Sequence, residues 1–285
     1  MKIDARTRLC AVIGNPVHHS LSPAIHNAAF EAGRLNFAYL AFCVEDVGDA
    51  IRGMRALGLV GLSVTIPHKL AVIGHLDGLD PVAERVGSVN TVVNREGSLV
   101  GYTTDGLGAL EALRDAGIDP RAQRVLIVGA GGSARAIAMT MAIESPPRHT
   151  AIAARDGAKA AALADGIRAT VPGIDVAAVG LSPSELRDSL ERATIVLQTT
   201  SVGMAPDIER CLIPRDWIRP DHVVFDIVYT PRVTELGRRA MAVGARVIPG
   251  SEMFVRQAAA QFRLWTGREA PIQVMRDVID RGIAP

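Results

Sequence analysis

Short apolar runs alternate with amphipathic stretches along the first half of the chain. The apolar runs predict strands at residues 9–13, 37–44, 59–66, 88–94 and 98–102. A turn at Glu96 and Gly97 separates the last two strands. The amphipathic stretches predict helices at residues 46–57, 81–86 and 107–116. A further helix is expected to begin at Ser22, a candidate N-cap that Pro23 follows.

The second half continues the alternation of strands and helices. Strands are predicted at residues 125–128, 149–154, 174–179, 195–198, 223–226 and 246–248. Helices are predicted at residues 233–243, 252–265 and 272–279. The last two helices have no strand partner of their own, so we expect them to pack back across the first domain. Alternation of this kind favours mostly parallel sheets that are covered on both faces.

The stretch VLIVGAGGSARA, residues 125–136, joins a buried strand to a helix through a glycine-rich turn. Gly129, Gly131 and Ala134 have the spacing G-x-G-x-x-(G/A). The first glycine permits a tight turn, the second lets backbone N–H groups approach a pyrophosphate, and Ala134 lets the helix lie close to the strand. This context predicts a dinucleotide-binding turn, with a glycine-rich surface turn as the alternative. The other residues of the turn are Ala130, Gly132 and Ser133.

These patterns predict an α/β fold of two domains, which suits a chain of 285 residues. One is an N-terminal αβα domain of residues 1–105, completed by residues 250–285. The other is a Rossmann-type domain of residues 106–249 that binds the dinucleotide.

Composition excludes several classes of partner. A net charge of +1 and 4% aromatic residues argue against binding of nucleic acid. No apolar run approaches the roughly 18 residues of a membrane span, and the N-terminal sequence has no signal-peptide pattern, so we expect a cytoplasmic protein. The cysteines and histidines follow no metal-binding template, and no metal is expected.

Polar residues follow several predicted strands of the first half, where α/β proteins bind their ligands. They form four groups: Ser20 with Ser22, Ser63 with Thr65 and Lys69, Asn90 with Thr91, and Thr104 with Asp105. Any one group alone suits a helix cap or a solvated turn, whereas four at one sheet edge suggest a site for a polyhydroxylated ligand. Only three of the 31 basic residues are lysines, and Lys69 offers the transferable proton that arginine lacks.

The motifs also carry a family resemblance. In chain order they are GNPVHHSLSPAIHN, SVTIPHK, VGSVNT, GYTTDG, GAGGSARA, TTSVGM, DIVYTPRVT and GSEMFVRQAAAQF. From about Leu9 to Trp265 the chain resembles the shikimate dehydrogenases, including their quinate/shikimate branch. The pattern differs from many members at Ser63, Thr103 and Glu252.

The resemblance implies NADP-linked, reversible reduction of 3-dehydroshikimate to shikimate. It implies that Lys69 and Asp105 are the catalytic pair, and that Gly250 and Met253 border the nicotinamide. The substrate-binding residues that it implies are Ser20, Ser22, Thr65, Asn90, Tyr229 and Gln257. A small-molecule substrate is therefore expected, and the protein is expected to be a monomer or a homodimer.

The choice of cofactor depends on Arg155 and Asp156, which follow the second strand of the Rossmann-type domain. An arginine there accommodates the 2′-phosphate of NADP, and an acidic residue there binds the ribose 2′-OH of NAD. We expect Arg155 to select NADP and Asp156 to be a solvated helix cap, with NAD as the alternative cofactor.

Two other functions stay open at this point. The segments FAYLAF, which contains Tyr39, and QFRLWTG resemble the quinate/shikimate branch, which suggests a quinate or dual enzyme that also takes NAD. A sensor of NADP or of pathway intermediates without catalysis is the alternative from another class. The presence of Lys69 and Asp105 argues against it, since a sensor needs no titratable pair.

Overall fold

The computed structural model describes residues 3–282. The chain forms two compact units, which we call the first and second units. The first unit contains the described residues up to Gly108 together with Val255–Gly282, and the second contains Ala109–Phe254. The first unit is therefore discontinuous in sequence, and the second is inserted into it.

A six-stranded mixed sheet forms the centre of the first unit. Its strands are β1 (Arg8–Gly14), β2 (Phe37–Cys43), β3 (Gly61–Val64), β4 (Gly78–Leu79), β5 (Thr91–Arg95) and β6 (Ser98–Tyr102). Their order is β2-β1-β3-β5-β6-β4, and β5 is antiparallel to both of its neighbours. The first sheet is thus mixed, because a short hairpin replaces a helical crossover between β5 and β6.

The β5–β6 hairpin has the turn that its sequence predicts. Glu96 and Gly97 have positive φ angles of +54° and +97°, and Arg95 pairs with Ser98 across the turn. Two successive residues with positive φ suit the right-handed twist of a hairpin. The predicted strand at residues 88–94 begins later, at Thr91, and the Val89 N–H before it donates to the Lys69 carbonyl oxygen (2.9 Å).

Four helices lie wholly within the described part of the first unit. They are α1 (Ser22–Ala32), α2 (Val47–Leu57), α3 (Pro81–Val86) and α10 (Ile272–Gly282). Two more, α4 (Asp105–Asp115) and α9 (Gly250–Thr266), span the points where the sequence passes from one unit to the other. α10 packs against α1, which confirms the expected return of the last helices to the first domain.

The C-terminal helix α9 is fastened to strand β5 by two side chains one turn apart. Gln261 Nε2 donates to Thr91 Oγ1 (2.9 Å), and Trp265 Nε1 donates to the Val92 carbonyl oxygen (3.2 Å). The indole of Trp265 lies where a Cβ on Gly61 of β3 would be, so this position requires glycine. Helix α9 therefore lies in a fixed register on the sheet.

The second unit contains a six-stranded parallel sheet. Its strands are β7 (Arg124–Val128), β8 (His149–Ala153), β9 (Val176–Val179), β10 (Ile195–Gln198), β11 (Val223–Asp226) and β12 (Arg246–Pro249). Their order, β12-β11-β10-β7-β8-β9, is that of a doubly wound dinucleotide-binding sheet. The order reverses between β7 and β10, where such folds bind their ligand.

Four helices belong wholly to the second unit: α5 (Gly132–Glu144), α6 (Gly157–Thr170), α7 (Pro183–Arg192) and α8 (Glu235–Ala242). No helix is predicted from the sequence at the positions of α6 and α7. The buried residues of α6 are Ala160, Leu163, Ala164 and Ile167, which have the i, i+3, i+4, i+7 spacing of an amphipathic helix, and those of α7 are Leu186 and Leu190, four residues apart. Both helices therefore carry a signal that the prediction missed. Within residues 3–282, no helix has the length and hydropathy needed to cross a membrane.

Candidate active site

The β5–β6 pairing brings distant polar residues together. Thr91 lies opposite Tyr102 in the hairpin, so Asn90 before β5 adjoins Thr104 and Asp105 after β6. Asn90 lies directly before β5 and still bonds to β6, because its N–H donates to the Tyr102 carbonyl oxygen (3.1 Å). Two of the four predicted polar groups therefore meet at this end of the hairpin.

The Asn90 carboxamide is held at both ends. Its Oδ1 accepts from the Thr104 backbone N–H (2.8 Å) and from Thr91 Oγ1 (2.9 Å). Its Nδ2 donates to Asp105 Oδ1 (2.7 Å) and to Thr104 Oγ1 (2.9 Å). Asn90 is 3% exposed, so these bonds satisfy an amide that water does not reach.

Lys69 lies on the loop after β3 and reaches the same carboxylate. Lys69 Nζ donates to Asp105 Oδ2 at 2.5 Å, and the two side chains are 13% and 8% exposed. The Lys69 carbonyl oxygen accepts from the Val89 N–H (2.9 Å), which fixes the loop next to Asn90. Each oxygen of Asp105 thus accepts one hydrogen bond, from Asn90 or from Lys69.

This arrangement can donate a proton to a ligand oxygen. An ammonium has three N–H groups, and one of those of Lys69 is directed at Asp105. Asp105 is the first residue of α4, where the helix dipole stabilises a negative charge. The hydroxyl of Thr103, in contrast, is buried without a hydrogen-bond partner among the described residues, so it does not hold Asp105.

Ser20 and Ser22 lie where β1 leads into α1. The prediction of Ser22 as the N-cap is wrong, because α1 begins at Ser22 and its N-cap is Leu21, without a side-chain cap. Ser20 Oγ instead accepts from the Ser22 N–H (3.2 Å). The Ser20 hydroxyl, two residues earlier, thus satisfies the N–H at the start of the helix.

Thr65 follows β3 and lies against the end of β1. Its backbone N–H donates to the Ile13 carbonyl oxygen (2.9 Å), and its methyl group fills the space beside Gly14. The parallel pairing of β1 and β3 therefore places the loops that carry Ser20 and Thr65 at one edge of the sheet.

Helix α9 carries two glutamines four residues apart, Gln257 and Gln261, which lie on one face of a helix. Gln257 is 8% exposed and Gln261 1% exposed. Gln257 is among the predicted site residues and Gln261 is not, although the four-residue spacing between them indicates that they share one face of the helix.

The glycine-rich turn of the second unit has the shape that a dinucleotide requires. Gly129 has a φ of +121°, and a Cβ there would overlap the Thr199 hydroxyl, so only glycine fits. A Cβ on Gly131, the N-cap of α5, would meet open space, so the backbone at the helix start is accessible. Ala134 is fully buried beneath it. These residues fit a pyrophosphate at the N-terminus of α5.

Asp156 is the N-cap of α6. Its carboxylate accepts from the Lys159 N–H (3.2 Å) and lies 3.7 Å from Lys159 Nζ. The helix-cap interpretation of Asp156 is therefore confirmed. Arg155 precedes it after β8 and is exposed, so its guanidinium is available to an anionic ligand.

The other three predicted site residues of the second unit lie near its last strands. Tyr229 follows β11 and stacks on Phe254 of α9, with ring centroids 4.6 Å apart, and burial raises the pKa of its hydroxyl. Gly250 begins α9, and Met253 is 7% exposed in its first turn. These residues belong to the second unit, whereas Lys69, Asn90 and Gln257 belong to the first.

Asp226 ends strand β11 and supports the segment that carries Tyr229. Its carboxylate accepts from the Thr234 hydroxyl (2.7 Å) and from the Val228 N–H (3.0 Å). Burial raises the pKa of Asp226 to about 6, an effect that these two hydrogen bonds oppose. The segment after β11 is thus held by a buried carboxyl group whose pKa burial raises to about 6.

Comparisons with known proteins agree with this geometry. Residues 12–92 match the model of a shikimate dehydrogenase substrate-binding domain, and residues 250–279 match that of a shikimate 5′-dehydrogenase C-terminal domain. A shikimate dehydrogenase (NADP⁺) from Moorella thermoacetica is 46% identical over 98% of this chain and 95% of its own.

Two solved structures are similar over nearly the whole chain. A shikimate dehydrogenase in complex with NADP⁺ has a TM-score of 0.93 and 37% identity, and covers 100% of this chain and 98% of its own. A quinate dehydrogenase from Corynebacterium glutamicum in complex with NAD has a TM-score of 0.90 and 30% identity, and covers 96% of this chain and 99% of its own.

The buried carboxylate of Asp226 leads to a prediction about stability. Because folding raises its pKa to about 6, above an unfolded value of about 3.9, the contribution is present below about pH 4 and is lost as pH rises through about 6. Relative to Asp226→Asn, the wild type should lose up to about 3 kcal/mol of unfolding free energy between about pH 4 and pH 7.5. Urea unfolding of both proteins at the two pH values measures this loss, and an equal pH dependence of the two would contradict it.

Proposed function

Because the chain belongs to the shikimate dehydrogenase family, we propose that it catalyses the reversible, NADP-linked interconversion of shikimate and 3-dehydroshikimate. The single observation that carries the proposal is the buried Lys69–Asp105 pair, with the carboxylate also held by Asn90. When bound, the cofactor would supply the hydride as NADPH in the reduction and accept it as NADP⁺ in the oxidation.

In this proposal, Lys69 and Asp105 carry out the proton transfer. Reduction of the ketone places negative charge on its oxygen, and a general acid within hydrogen-bond reach stabilises that charge. The remaining N–H groups of Lys69 donate to the oxygen, while Asp105 orients the ammonium and shares its proton. In the oxidation, the same pair removes the proton from the hydroxyl.

The other residues proposed to bind substrate suit a polyhydroxylated carboxylate. They offer hydroxyl or carboxamide groups, which both donate and accept, and they are Ser20, Ser22, Thr65, Asn90, Tyr229 and Gln257. Three of them, Ser22, Asn90 and Gln257, are less than 9% exposed, which limits competition from water.

The second unit is proposed to hold NADP through the glycine-rich turn. The residues from Gly129 to Ala134 present backbone N–H groups to the pyrophosphate, and Arg155 binds the 2′-phosphate. Gly250 and Met253 border the nicotinamide. The fit is supported by the positive φ of Gly129 and the open space beside Gly131.

The proposal also includes a cytoplasmic location and a monomeric or homodimeric state. Support for a reducing compartment comes from the cysteines, since Cys10, Cys43 and Cys211 are all free thiols. Light scattering of the purified protein measures the oligomeric state.

Initial rates on shikimate and quinate with NADP⁺ and NAD⁺ test the proposed function. We expect the highest kcat/KM for shikimate with NADP⁺. A higher value for quinate with NAD⁺ would assign the chain to the quinate branch. Binding of shikimate and NADP⁺ without turnover would instead indicate a sensor.

Replacement of Lys69 by arginine tests whether a transferable proton is needed. Lys69→Arg keeps the positive charge but has no proton to give up, so kcat should fall about 100-fold or more, within the ~10²–10⁴ that general acid–base catalysis contributes. The KM for shikimate should change less than kcat. Lys159→Arg makes the same change at a side chain that is 72% exposed and should have little effect. A near-normal kcat for Lys69→Arg, together with a large loss of kcat in Lys69→Ala, would show that Lys69 contributes only its positive charge.

Replacement of Arg155 and Asp156 tests cofactor selection. A charged hydrogen bond from Arg155 to the 2′-phosphate is worth ~1.5–3 kcal/mol, whereas repulsion from the solvated Asp156 is nearer ~1 kcal/mol. Arg155→Ala should therefore raise the KM for NADP⁺ about tenfold or more and leave that for NAD⁺ nearly unchanged. Asp156→Thr, which keeps a capping hydroxyl for α6, should widen the preference for NADP⁺.

Arg187→Ala provides the control, since this exposed arginine of α7 pairs with Glu191 on its own helix. A wild-type preference for NAD⁺ that Asp156→Ala weakens would identify Asp156 as the ribose ligand and reverse the assignment.

A further inference from the structure

A continuous chain of hydrogen bonds lies beneath the proposed catalytic pair, entirely within the first unit. It links six side chains, each of them 6% exposed or less, in the order Tyr39, Ser63, Gln261, Thr91, Asn90 and Asp105. The bonds between them measure 2.6, 3.0, 2.9, 2.9 and 2.7 Å in that order. Burial this complete excludes water as a substitute partner if one member is removed.

Two backbone groups fix the direction of every bond in this chain. The Thr104 N–H can only donate, so the amide oxygen of Asn90 faces it (2.8 Å) and Nδ2 is left for Asp105. The Asn90 carbonyl oxygen can only accept, so Nε2 of Gln261 faces it (3.3 Å). If either carboxamide rotated by 180°, a donor would face a donor or an acceptor would face an acceptor.

The carboxamide orientations then determine where each hydroxyl group donates its proton. Gln261 Nε2 donates to Thr91 Oγ1, so the single hydroxyl proton of Thr91 goes to Asn90 Oδ1. Since the Gln261 amide oxygen faces Ser63, the Ser63 hydroxyl donates to it and accepts from Tyr39. All five bonds therefore donate towards Asp105, and bonds aligned in this way strengthen one another.

We propose that Gln261 and Thr91 are positioning residues of the reaction, which act on Asp105 through Asn90. The inference rests on the proposed function. No hydrogen bond in the described part of the chain joins Gln261 to Lys69 or Asp105, so its effect passes through Thr91 and the Asn90 amide. Loss of the Thr91 hydroxyl leaves one lone pair of Asn90 Oδ1 without its donor, and the amide gains freedom to turn away from Asp105.

The expected consequence is a slower chemical step with little change in substrate binding. Displacement of a catalytic group by about 1 Å can cost about 100-fold in rate. The Lys69 ammonium is oriented by its hydrogen bond to Asp105 Oδ2, so a displacement of the carboxylate also displaces the proton donor. A residue that served only folding would lower the melting temperature and leave the kcat of the folded enzyme unchanged.

Four variants of the full chain separate these roles. Thr91→Val and Gln261→Met keep volume and remove the hydrogen bonds, and Thr91→Ser restores the hydroxyl. Thr103→Val is the matched control, because Thr103 is also buried and its hydroxyl has no partner among the described residues. The readouts are kcat and KM for shikimate, the melting temperature, and the isotope effect with shikimate deuterated at the carbon that gives up the hydride.

We expect Thr91→Val and Gln261→Met each to lower kcat about tenfold or more, with the KM for shikimate changed less than about threefold. The isotope effect should rise in both, because the chemical step becomes more rate-limiting, and Thr91→Ser should recover most of kcat. The double variant Thr91→Val/Gln261→Met should be no slower than the slower single variant, since both act through one path.

The proposal is overturned if, at temperatures where every variant is folded, Thr91→Val and Gln261→Met keep the kcat and isotope effect of the wild type. It is also overturned if Thr103→Val loses as much activity as Thr91→Val. Either result, with an active wild type, leaves the proposed function intact, whereas an inactive wild type contradicts that function itself. Should Gln261→Met fail to fold, the comparison of the two Thr→Val variants with Thr91→Ser still decides.

Discussion

The register of the β5–β6 hairpin is the constraint on which the site depends. The left-handed turn at Glu96 and Gly97 fixes which residues face each other at the far end, where Asn90 adjoins Thr104. A slip of one residue would turn every side chain of a strand to the opposite face of the sheet. The Asn90 carboxamide would then leave Asp105, so a turn six residues after Asn90 and eight residues before Asp105 sets the geometry of the ion pair.

The Lys69–Asp105 pair is better explained by chemistry than by stability. Removing two charges from water costs several kcal/mol per ion, and buried ion pairs are often no more stable than an apolar pair of the same volume. Here the cost is offset by the Asn90 amide and by the start of α4, both directed at the carboxylate. In the proposed reaction, this nearly dry ammonium is the proton donor.

The local features of the fold could be predicted from sequence. Apolar runs, the Glu96–Gly97 turn and the glycine spacing at Gly129 each depend on neighbours within a few residues, and the structure has all three. The Asp156 cap also follows from a short-range rule. The wrong cap at Ser22 shows the limit, since the choice between Ser20 and Ser22 depends on where the preceding loop turns.

Contacts between distant segments could not be predicted in the same way. Ser63 and Gln261 meet across 198 residues, and no periodicity in either segment indicates that pairing. The motif order places Lys69, Asn90 and Asp105 in one candidate site. Only the tertiary structure shows that Gln261 donates to Thr91 and that Thr91 donates to Asn90. Helix α6 is a different case, because its buried residues from Ala160 to Ile167 have a helical spacing that a short-range rule could have found.

The discontinuity of the first unit has a consequence for synthesis on the ribosome. Strand β3 remains uncovered at Gly61 until Trp265 has been made, because the indole of Trp265 occupies that space. Translation proceeds at roughly 5–20 residues per second, so the 198 residues between Ser63 and Gln261 take about 10–40 s. During that interval the inserted second unit, Ala109–Phe254, emerges as a continuous segment and can complete its own sheet first. The nascent chain therefore leaves part of one face of its first sheet uncovered for many seconds while the second unit is synthesised.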